Sequence, residues 1–334
     1  MKLTIATVTK NCLEYTKIFL SSLKKNLPFP CKIIVVDNNS TDGTQNFLKE
    51  QKDITVIFNK RNLGFGRANN QAFKLCDTKY FLGINNDTII FPNFIKELIK
   101  IAEKHKDFGE IGVNSNCIGA KNPFTNTKIE NDLKKIPAEN PAKILSVYYK
   151  NPKKFFQAFK TKNNKLEIFE SPPNFIGGWC FLVRKKTVEK IEGLFDPRFK
   201  IGFWEDVDLS WRIAKIGYKI VLAKGIYLHH FNHISFKNNK LRLTDKQISR
   251  ENALKFAEKW EDEIKNFLTE KFKQGLSLKQ IVHKYFIFAS FFGKKRKDWE
   301  SLEEKLKSKV LKTEKISFKN FLLLTRKKQK NKTN

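Results

Sequence analysis

The first hundred residues alternate strand-like and helix-like segments, and this rhythm constrains the fold more than any other feature of the chain. The predicted strands cover residues 3–9, 32–37, 54–58 and 80–84, and the predicted helices lie near residues 13–25, 44–49 and 66–75. Such alternation predicts an α/β fold, in which helices cover both faces of a layered, mostly parallel sheet. Ligands bind at the carboxyl ends of the strands in open sheets of this kind. The residues that follow each strand are therefore candidate site residues.

The alternation breaks down over residues 119–173, which we predict to form a variable, partly helical insertion over the cleft. Ordered elements then return as a strand near residues 175–183, a helix near 206–216 and a short strand near 219–222. Beyond residue 240, apolar residues recur at rough helical spacing among many charges. We therefore predict a catalytic domain over residues 1–240 and a basic helical C-terminal extension over residues 241–334.

The chain carries a strong excess of positive charge. Among its 334 residues, 65 are Lys or Arg and 34 are Asp or Glu, which gives a formal net charge of +31. This balance favours partners with negative charge, such as nucleic acids, anionic membranes or phosphorylated ligands. Charge alone does not choose among them, and a general bias of composition explains it equally well.

Cysteine spacing and apolar runs indicate the compartment. Neither a disulfide framework nor a zinc site is predicted, since no CxxC spacing occurs among Cys12, Cys31, Cys76, Cys117 and Cys180. The N-terminal residues lack the layout of a signal peptide. The longest largely apolar stretch, residues 285–292, is much shorter than the roughly 20 residues that cross a bilayer. We expect a protein of the reducing cytoplasm.

Carboxylates follow two of the predicted strands. Asp37 ends one apolar strand, where a charge in the sheet crevice needs a partner. Asp87 follows Asn85 and Asn86 directly after the strand at residues 80–84. Oxygen ligands of this kind suit Mg²⁺ or Mn²⁺ bridging a diphosphate. A metal site is therefore predicted at this edge of the sheet.

A glycine-containing loop at residues 61–70 joins a predicted strand to a helix. Gly64 and Gly66 permit close approach of the backbone, whose N–H groups can face phosphate at a helix start. No third glycine follows at the spacing of a dinucleotide-binding fingerprint. The glycines alone are a weak signal.

Three acids occupy residues 205–208 at the start of a predicted helix, and three of the five histidines follow at residues 229–233. Acids in a first turn are favoured by the helix dipole. Alternatively, paired acids in an apolar, aromatic setting hold one carboxylate ready to take a proton from an acceptor hydroxyl. A single histidine favours a structural role, whereas a cluster after a strand favours a metal ligand.

Taken in order, these five segments resemble the family 2 glycosyltransferases, which have the GT-A fold, and are most similar to their rhamnosyltransferase- and galactofuranosyltransferase-like members. The resemblance covers about residues 1–236. It implies transfer of a sugar from a nucleoside-diphosphate sugar to an acceptor hydroxyl, with inversion at the anomeric carbon. It also implies a divalent cation, Mn²⁺ or Mg²⁺, that neutralises the leaving diphosphate.

The resemblance carries roles to individual residues. The positions that match donor-binding residues are Thr9, Asp37, Asn62, Gly64 and Asn86. The metal ligands are matched by Asp87 and His230. The catalytic base is matched by Asp206, with Glu205 as the rival carboxylate. The pocket for the acceptor and the donor sugar is matched by Gly177, Gly178 and Trp179.

The chain departs from the family pattern at Asn85 and Asn86, which replace acids found in many relatives, so the metal site carries less charge. Three alternatives follow from the sequence: a nucleic-acid-binding protein suggested by the charge, a nucleotidyltransferase, and a catalytically inactive nucleotide-binding relative. The first gives no account of acids at strand ends, and the second lacks a glycine-rich triphosphate loop. The retained Asp87, Asp206 and His230 weigh against the third.

We therefore predict an inverting, metal-dependent glycosyltransferase of polysaccharide or glycolipid synthesis. A UDP or dTDP donor is favoured, because both pyrimidines offer the same imide edge to Asp37, and the acceptor is a saccharide or a lipid-linked sugar. Helices that pack on the catalytic core are one interpretation of the tail. The other is contact with the anionic inner membrane face, since the aromatic residues 285–292 precede the basic residues 294–297.

Overall fold

The computed structural model describes residues 1–116, 143, 145–146, 151–163, 165–169, 171–231, 242–312 and 316–330. Most of the predicted insertion, the boundary at residue 240, Cys117 and His233 lie outside these residues. The described cysteines are free thiols: Cys12, Cys31, Cys76 and Cys180. Within the same ranges, no helix combines the length and the apolarity needed to span a bilayer.

Strands and helices alternate through the first hundred residues, as the sequence predicts. The strands are β1 (Leu3–Thr9), β2 (Lys32–Asp37), β3 (Thr55–Phe58), β4 (Tyr80–Ile84), β5 (Thr88–Ile89), β6 (Phe108–Ser115), β7 (Leu166–Phe169), β8 (Cys180–Arg184) and β9 (Lys219–His230). The helices are α1 (Leu13–Lys25), α2 (Thr44–Glu50), α3 (Phe65–Lys74), α4 (Phe94–Lys104), α5 (Pro152–Asn163), α6 (Lys185–Lys190), α7 (Glu205–Lys215), α8 (Arg242–Lys259), α9 (Glu261–Lys273), α10 (Leu278–Lys284), α11 (Phe286–Phe292), α12 (Trp299–Leu306) and α13 (Phe318–Lys330), and a π-helical turn covers Lys307–Leu311.

The described strands form one sheet in the order β3-β2-β1-β4-β8-β6-β9-β5, with β7 also paired to β9. The half built from β1 to β4 is parallel. In the other half β8 runs antiparallel to both β4 and β6, while β6 and β9 are parallel. The α/β fold class is confirmed, and the sheet is mixed because β8 enters between two parallel units.

Two predicted strands have different bounds in the structure. The predicted strand at residues 175–183 is ordered as β8 only from Cys180, because its partner β4 ends at Ile84, which lies opposite Cys180. The predicted short strand at residues 219–222 extends to His230, because β9 finds partners in β6, β7 and β5 along its length. No strand was predicted at residues 108–115, where the structure has β6.

The central strands are buried on both faces, which explains their nearly continuous apolar runs. Neighbouring residues point to opposite faces, so Ile5 belongs to one apolar cluster with Phe19 and Leu82, whereas Ala6 belongs to another with Phe81. Helices cover both faces of the sheet. The sheet is therefore a rigid platform whose strand ends carry the site.

The C-terminal helices share a third apolar cluster with the region around α7. Trp204 stacks on Phe291 with ring centroids 5.1 Å apart, and Trp211 meets the edge of Phe256 at 4.8 Å. The rings of Tyr285, Phe288, Phe291 and Phe292 are all buried in this cluster. Most of the aromatic residues at 285–292 therefore pack against the region around α7, while Phe286 is 68% exposed.

Candidate active site

A cavity of about 480 Å³ opens at the carboxyl ends of β1 and β4, between the glycine-containing loop and the start of α7. Ten of the predicted site residues line it: Thr9, Asn62, Gly64, Asn86, Asp87, Gly178, Trp179, Glu205, Asp206 and His230. Two predicted residues, Asp37 and Gly177, do not line it. The fold thus brings together segments that are more than two hundred residues apart in sequence, such as those of Thr9 and His230.

Asp87 and His230 form a pair at one side of the cavity. The two-residue strand β5 pairs with the end of β9, where Thr88 lies opposite His230. This ladder brings the Asp87 Oδ1 and His230 Nε2 atoms to 3.1 Å, with both side chains nearly buried. The backbone of His230 is fixed on its other side by Asn116, whose amide donates to and accepts from it.

A carboxylate oxygen and an imidazole nitrogen at this separation fit the ligand chemistry of a divalent cation. Within the described ranges, no group of three or more His, Cys, Asp or Glu side chains is arranged to hold a metal ion. Asp87 and His230 are therefore the two described side chains that we expect to bind such a cation.

Asn86 has a structural explanation in this protein. Its amide donates to the hydroxyls of Thr9 at 3.1 Å and Thr16 at 2.9 Å, and these hydroxyls are 3.1 Å apart. The three side chains are buried. A neutral amide satisfies two hydroxyls here without placing a charge out of water, which is costly. Asn86 therefore ties the Asp87 turn to β1 and α1.

Asp37 lies at the end of β2 and is fully buried. Its Oδ2 atom accepts the Ser40 N–H at 2.9 Å and the Gln45 side-chain amide at 2.8 Å. Its Oδ1 atom has no hydrogen-bond partner among the described residues. Asn38, which the sequence reading did not assign to the site, lines the cavity in its place.

The loop before α3 requires glycine at residue 64. Gly64 has φ of 84°, and a Cβ atom there would lie 2.5 Å from the Cα atom of Ile201. The Phe65 N–H donates to the Ile201 carbonyl at 2.6 Å, and Asn62 Oδ1 accepts the Gly64 N–H at 2.9 Å. Gly64 thus allows the loop to contact the segment that precedes the acids of α7.

Asp206 faces the cavity from the first turn of α7. Its Oδ2 atom accepts the Gly178 N–H at 3.0 Å, and its Oδ1 atom accepts the Val207 N–H at 2.9 Å. Burial raises the pKa of Asp206 above its ordinary value, while these N–H donors stabilise the ionised form and oppose the rise. Asp206 thus has one N–H donor on each of its carboxylate oxygens.

Glu205 lies deeper, beside Gly66 and Gly202. It is 5% exposed, and its Oε2 atom has no hydrogen-bond partner in the described part of the chain. Burial, with a smaller effect from the adjacent Asp206, raises its pKa. The backbone N–H groups of Glu205 and Phe203 oppose this rise, but burial outweighs them and favours the protonated form of Glu205.

The third acid of the segment, Asp208, is fully buried away from the cavity. It accepts hydrogen bonds from Arg212 at 2.7 Å and from the Trp260 indole at 2.9 Å, and Lys259 lies 2.6 Å away. Its negative charge is paired on both sides. Asp208 therefore joins α7 to the C-terminal helices and takes no part in the cavity.

The two glycines before β8 have different tasks. A Cβ atom on Gly177 would lie 2.8 Å from the Trp179 indole nitrogen, so glycine leaves room for that ring. Gly178 supplies the N–H that binds Asp206. Trp179 in turn stacks on His230 with centroids 5.5 Å apart. This short segment therefore connects the acid at α7 with the Asp87–His230 pair.

The sequence reading missed several residues around the site. Glu110, in the middle of β6, is 1% exposed and accepts the Ser210 hydroxyl, while burial raises its pKa to about 8. A lone acid in an apolar strand was the available signal. The C-terminal helices add Ser249, Phe286, Ile287 and Ser290 to the cavity wall. No local pattern indicates these four, because they reach the cavity only through tertiary packing.

The fold and the site together define a glycosyltransferase: a mixed α/β sheet whose strand ends carry a glycine loop, an acid–histidine pair and a helix that starts with acids. A family model described as glycosyl transferase family 2 matches residues 4–191. The chain belongs to glycosyl transferase family 2, which confirms the resemblance seen in the sequence.

Two relatives cover most of the chain. The N-acetylglucosaminyl-diphospho-decaprenol L-rhamnosyltransferase of Mycobacterium tuberculosis is 25% identical over 246 residues, which are 69% of this chain and 76% of the relative. An uncharacterized glycosyltransferase of Rickettsia typhi is 26% identical over 267 residues, or 79% of this chain and 71% of the relative. The relationship therefore extends over more than two thirds of this chain.

Two solved structures share the fold. Residues 1–349 of TarS from S. aureus have a TM-score of 0.52 at 14% identity, covering 99% of this chain and 92% of that one. The mannosyltransferase of Pyrobaculum calidifontis, solved with GDP-Man and Mn²⁺, has a TM-score of 0.50 at 14% identity, covering 77% of this chain and 64% of that one. At this identity the likeness shows the fold.

Proposed function

We propose that the cavity binds a nucleoside-diphosphate sugar and that Asp206 removes the proton from an acceptor hydroxyl as it attacks the anomeric carbon. One observation carries the proposal: Asp206 and the Asp87–His230 pair, matched to base and metal site, line the same cavity. A cation, Mn²⁺ or Mg²⁺, would be held by Asp87 and His230 and would supply Lewis-acid stabilisation of the leaving diphosphate.

The protein's own residues account for the proton transfer. The acceptor oxygen forms a bond to the anomeric carbon while the bond to the diphosphate oxygen breaks, and configuration inverts. The acceptor proton moves to a carboxylate oxygen of Asp206, which the Gly178 N–H holds in place. Neutral Glu205 adds no second charge beside it. The apolar surroundings hold Asp206 at a raised pKa, which makes it a stronger base.

The donor nucleotide is proposed to be UDP or dTDP. The imide N–H of uracil or thymine is a hydrogen-bond donor, and Asp37 Oδ1 is an acceptor that has no partner among the described residues. Because Asp37 is buried, this contact requires the segment after β2 to open. Asn38, Asn62 and Gly64 line the cavity near the ends of β1 and β2 and the start of α3, and we propose that they contact the nucleotide.

The acceptor is proposed to be a saccharide carried by a lipid diphosphate, of the kind in the mycobacterial relative's name. Support comes from the apolar rings that line the cavity, those of Phe175, Phe203 and Phe286. Phe286 is the most exposed of these rings. The exposed Lys294, Lys295 and Lys297 follow the helix that carries it and suit an anionic membrane surface.

The first test is thermal stabilisation of the protein by UDP, dTDP, GDP and CMP, each with Mn²⁺ or with chelator. Stabilisation measures binding to the folded state. We expect one nucleoside diphosphate to raise the melting temperature of the wild type only with metal, and to lose this effect in Asp87→Ala but not in the exposed control Asp262→Ala. If DNA or RNA stabilises the protein and no nucleotide does, the net positive charge reflects nucleic-acid binding and the proposal is wrong.

The second test separates the base from the binding residues. Asp206→Asn should keep nucleotide stabilisation and lose about 100-fold or more in sugar transfer to a synthetic lipid-diphosphate saccharide, the loss usual for removal of a general base. Flotation with anionic vesicles at physiological salt tests the membrane location separately. If the wild type stays unbound there, the enzyme acts without the proposed membrane contact.

A further inference from the structure

The segment that leads into α7 has an unusual backbone. Ile201, Phe203 and Trp204 have φ of 67°, 73° and 76°. Residues with side chains rarely adopt the left-handed region, and three such residues in four positions persist only when surrounding contacts impose them. The segment runs directly into Glu205 and Asp206. Whatever holds residues 201–204 therefore sets where the proposed base points.

One side chain from the C-terminal helices holds this segment. Asn252 on α8 is 1% exposed, and its side-chain nitrogen donates towards three carbonyls, those of Lys200 at 3.1 Å, Gly202 at 2.8 Å and Phe203 at 3.2 Å. The other end of its amide accepts the Lys255 ammonium at 3.3 Å, which fixes its orientation. A buried amide thus satisfies carbonyls that the irregular backbone turns inward.

The opposite side of the segment is held by the loop before α3. Phe65 donates to the Ile201 carbonyl, and Gly64 pairs with Ile201 as an isolated bridge. The segment is therefore fixed between a loop proposed to bind the donor and a helix of the C-terminal extension. The Asn252 contacts come from outside the region matched by the family model, as do the ring contacts of Trp204 with Phe256 and Phe291.

We propose that Asn252 is a positioning residue for sugar transfer, and that through it the C-terminal extension is part of the active site. The inference rests on the proposed role of Asp206. Asn252 is not among the residues that line the cavity; it fixes the left-handed turn that starts α7 and so orients Asp206 towards the cavity. Reaction rates are sensitive to such aim, since a displacement of about 1 Å costs on the order of 100-fold.

The test replaces the donating nitrogen by an oxygen of the same size. Asn252→Asp sets a carboxylate against three carbonyls and releases the segment. Asn266→Asp makes the same chemical change at an exposed position of α9. Leu302→Ala, in the apolar cluster of the extension, removes stability at a distance from the turn. Amide hydrogen exchange of residues 199–207 and steady-state transfer kinetics are measured for each variant below its melting temperature.

For Asn252→Asp we expect faster exchange over residues 199–207, a fall in kcat of about 30- to 100-fold and a nucleotide Kd within about threefold of wild type. Asn266→Asp should match wild type in all three, and Leu302→Ala should lower the melting temperature while kcat holds. Unchanged exchange in the turn, or a kcat loss no greater than that of Leu302→Ala, would overturn the proposal. If the wild type itself transfers no sugar, the proposed function fails, while the exchange data still decide whether Asn252 holds the turn.

Discussion

Replacing Glu110 by glutamine should change how the stability of the protein depends on pH. Glu110 is 1% exposed in β6; its Oε2 atom accepts the Ser210 hydroxyl, and its Oε1 atom has no partner in the described part of the chain. Burial raises the pKa of this carboxyl from an ordinary 4.5 to about 8. The folded protein therefore keeps a proton on Glu110 that the unfolded chain releases above pH 4.5.

The sign and size of the effect follow from linkage. Because the folded-state pKa is raised, the stability that Glu110 contributes is fully present below the unfolded pKa and is lost as pH rises towards about 8. Each pKa unit corresponds to about 1.4 kcal/mol. Between pH 5 and pH 7 the wild type should lose roughly 2 to 3 kcal/mol through this group alone. Glutamine keeps the shape and does not titrate, so Glu110→Gln escapes this loss.

The assay is urea unfolding followed by tryptophan fluorescence at pH 5, 6 and 7. The quantity of interest is the difference in unfolding free energy between Glu110→Gln and wild type, which should rise by roughly 2 to 3 kcal/mol from pH 5 to pH 7. A buried amide hydrogen without a partner costs about 1–3 kcal/mol, but that cost does not vary with pH. Glu304→Gln, at an exposed position of α12, should run parallel to wild type. Parallel curves for Glu110→Gln as well would show that Glu110 is ionised in the folded protein.

Three further predictions concern the site and its supports. The transfer rate should rise with pH through the raised pKa of Asp206, because the base acts only when ionised, and kcat/KM against pH measures it. Gly64→Ala should destabilise the protein and abolish nucleotide binding, because its Cβ atom would lie 2.5 Å from the backbone of Ile201. The control Gly275→Ala has open space around it and should cost only about 1–2 kcal/mol of unfolding free energy for its φ of 81°. Equal melting temperatures for the two variants would refute the close contact at Gly64. Trp260→Phe removes the 2.9 Å hydrogen bond to buried Asp208 and should lower the free energy of unfolding in urea by about 1.5–3 kcal/mol. A loss below about 0.5 kcal/mol would show that Lys259 and Arg212 alone stabilise the buried charge of Asp208.

The sequence by itself determined the local elements of the first hundred residues and the family. Periodicity and turn residues placed β1, α1, β2 and β4 at the bounds that the structure shows, because each is a local apolar run with its own start and end signals. Carboxylates after strands pointed to one edge of the sheet for the same reason. Their roles in catalysis and metal binding stay predictions.

The tertiary structure decided what depends on distant partners. The sheet is mixed because β8 pairs with β4 and β6, and no local pattern states the direction of a partner strand. Asp206 and Glu205 are adjacent in sequence, yet only packing directs Asp206 to the Gly178 N–H and leaves the Oε2 atom of Glu205 without a partner among the described residues.

Asn252 shows the same limit most clearly. In sequence Asn252 is one of many polar residues on a charged helix. It becomes a hydrogen-bond donor to residues 200–203 only because the fold brings three carbonyls, about fifty residues away in sequence, next to its side chain. Helical spacing is encoded within a few residues and can be read directly. Hydrogen bonds across the fold depend on where the whole chain places its backbone, so the contribution of the C-terminal helices to this site emerged only from the folded structure.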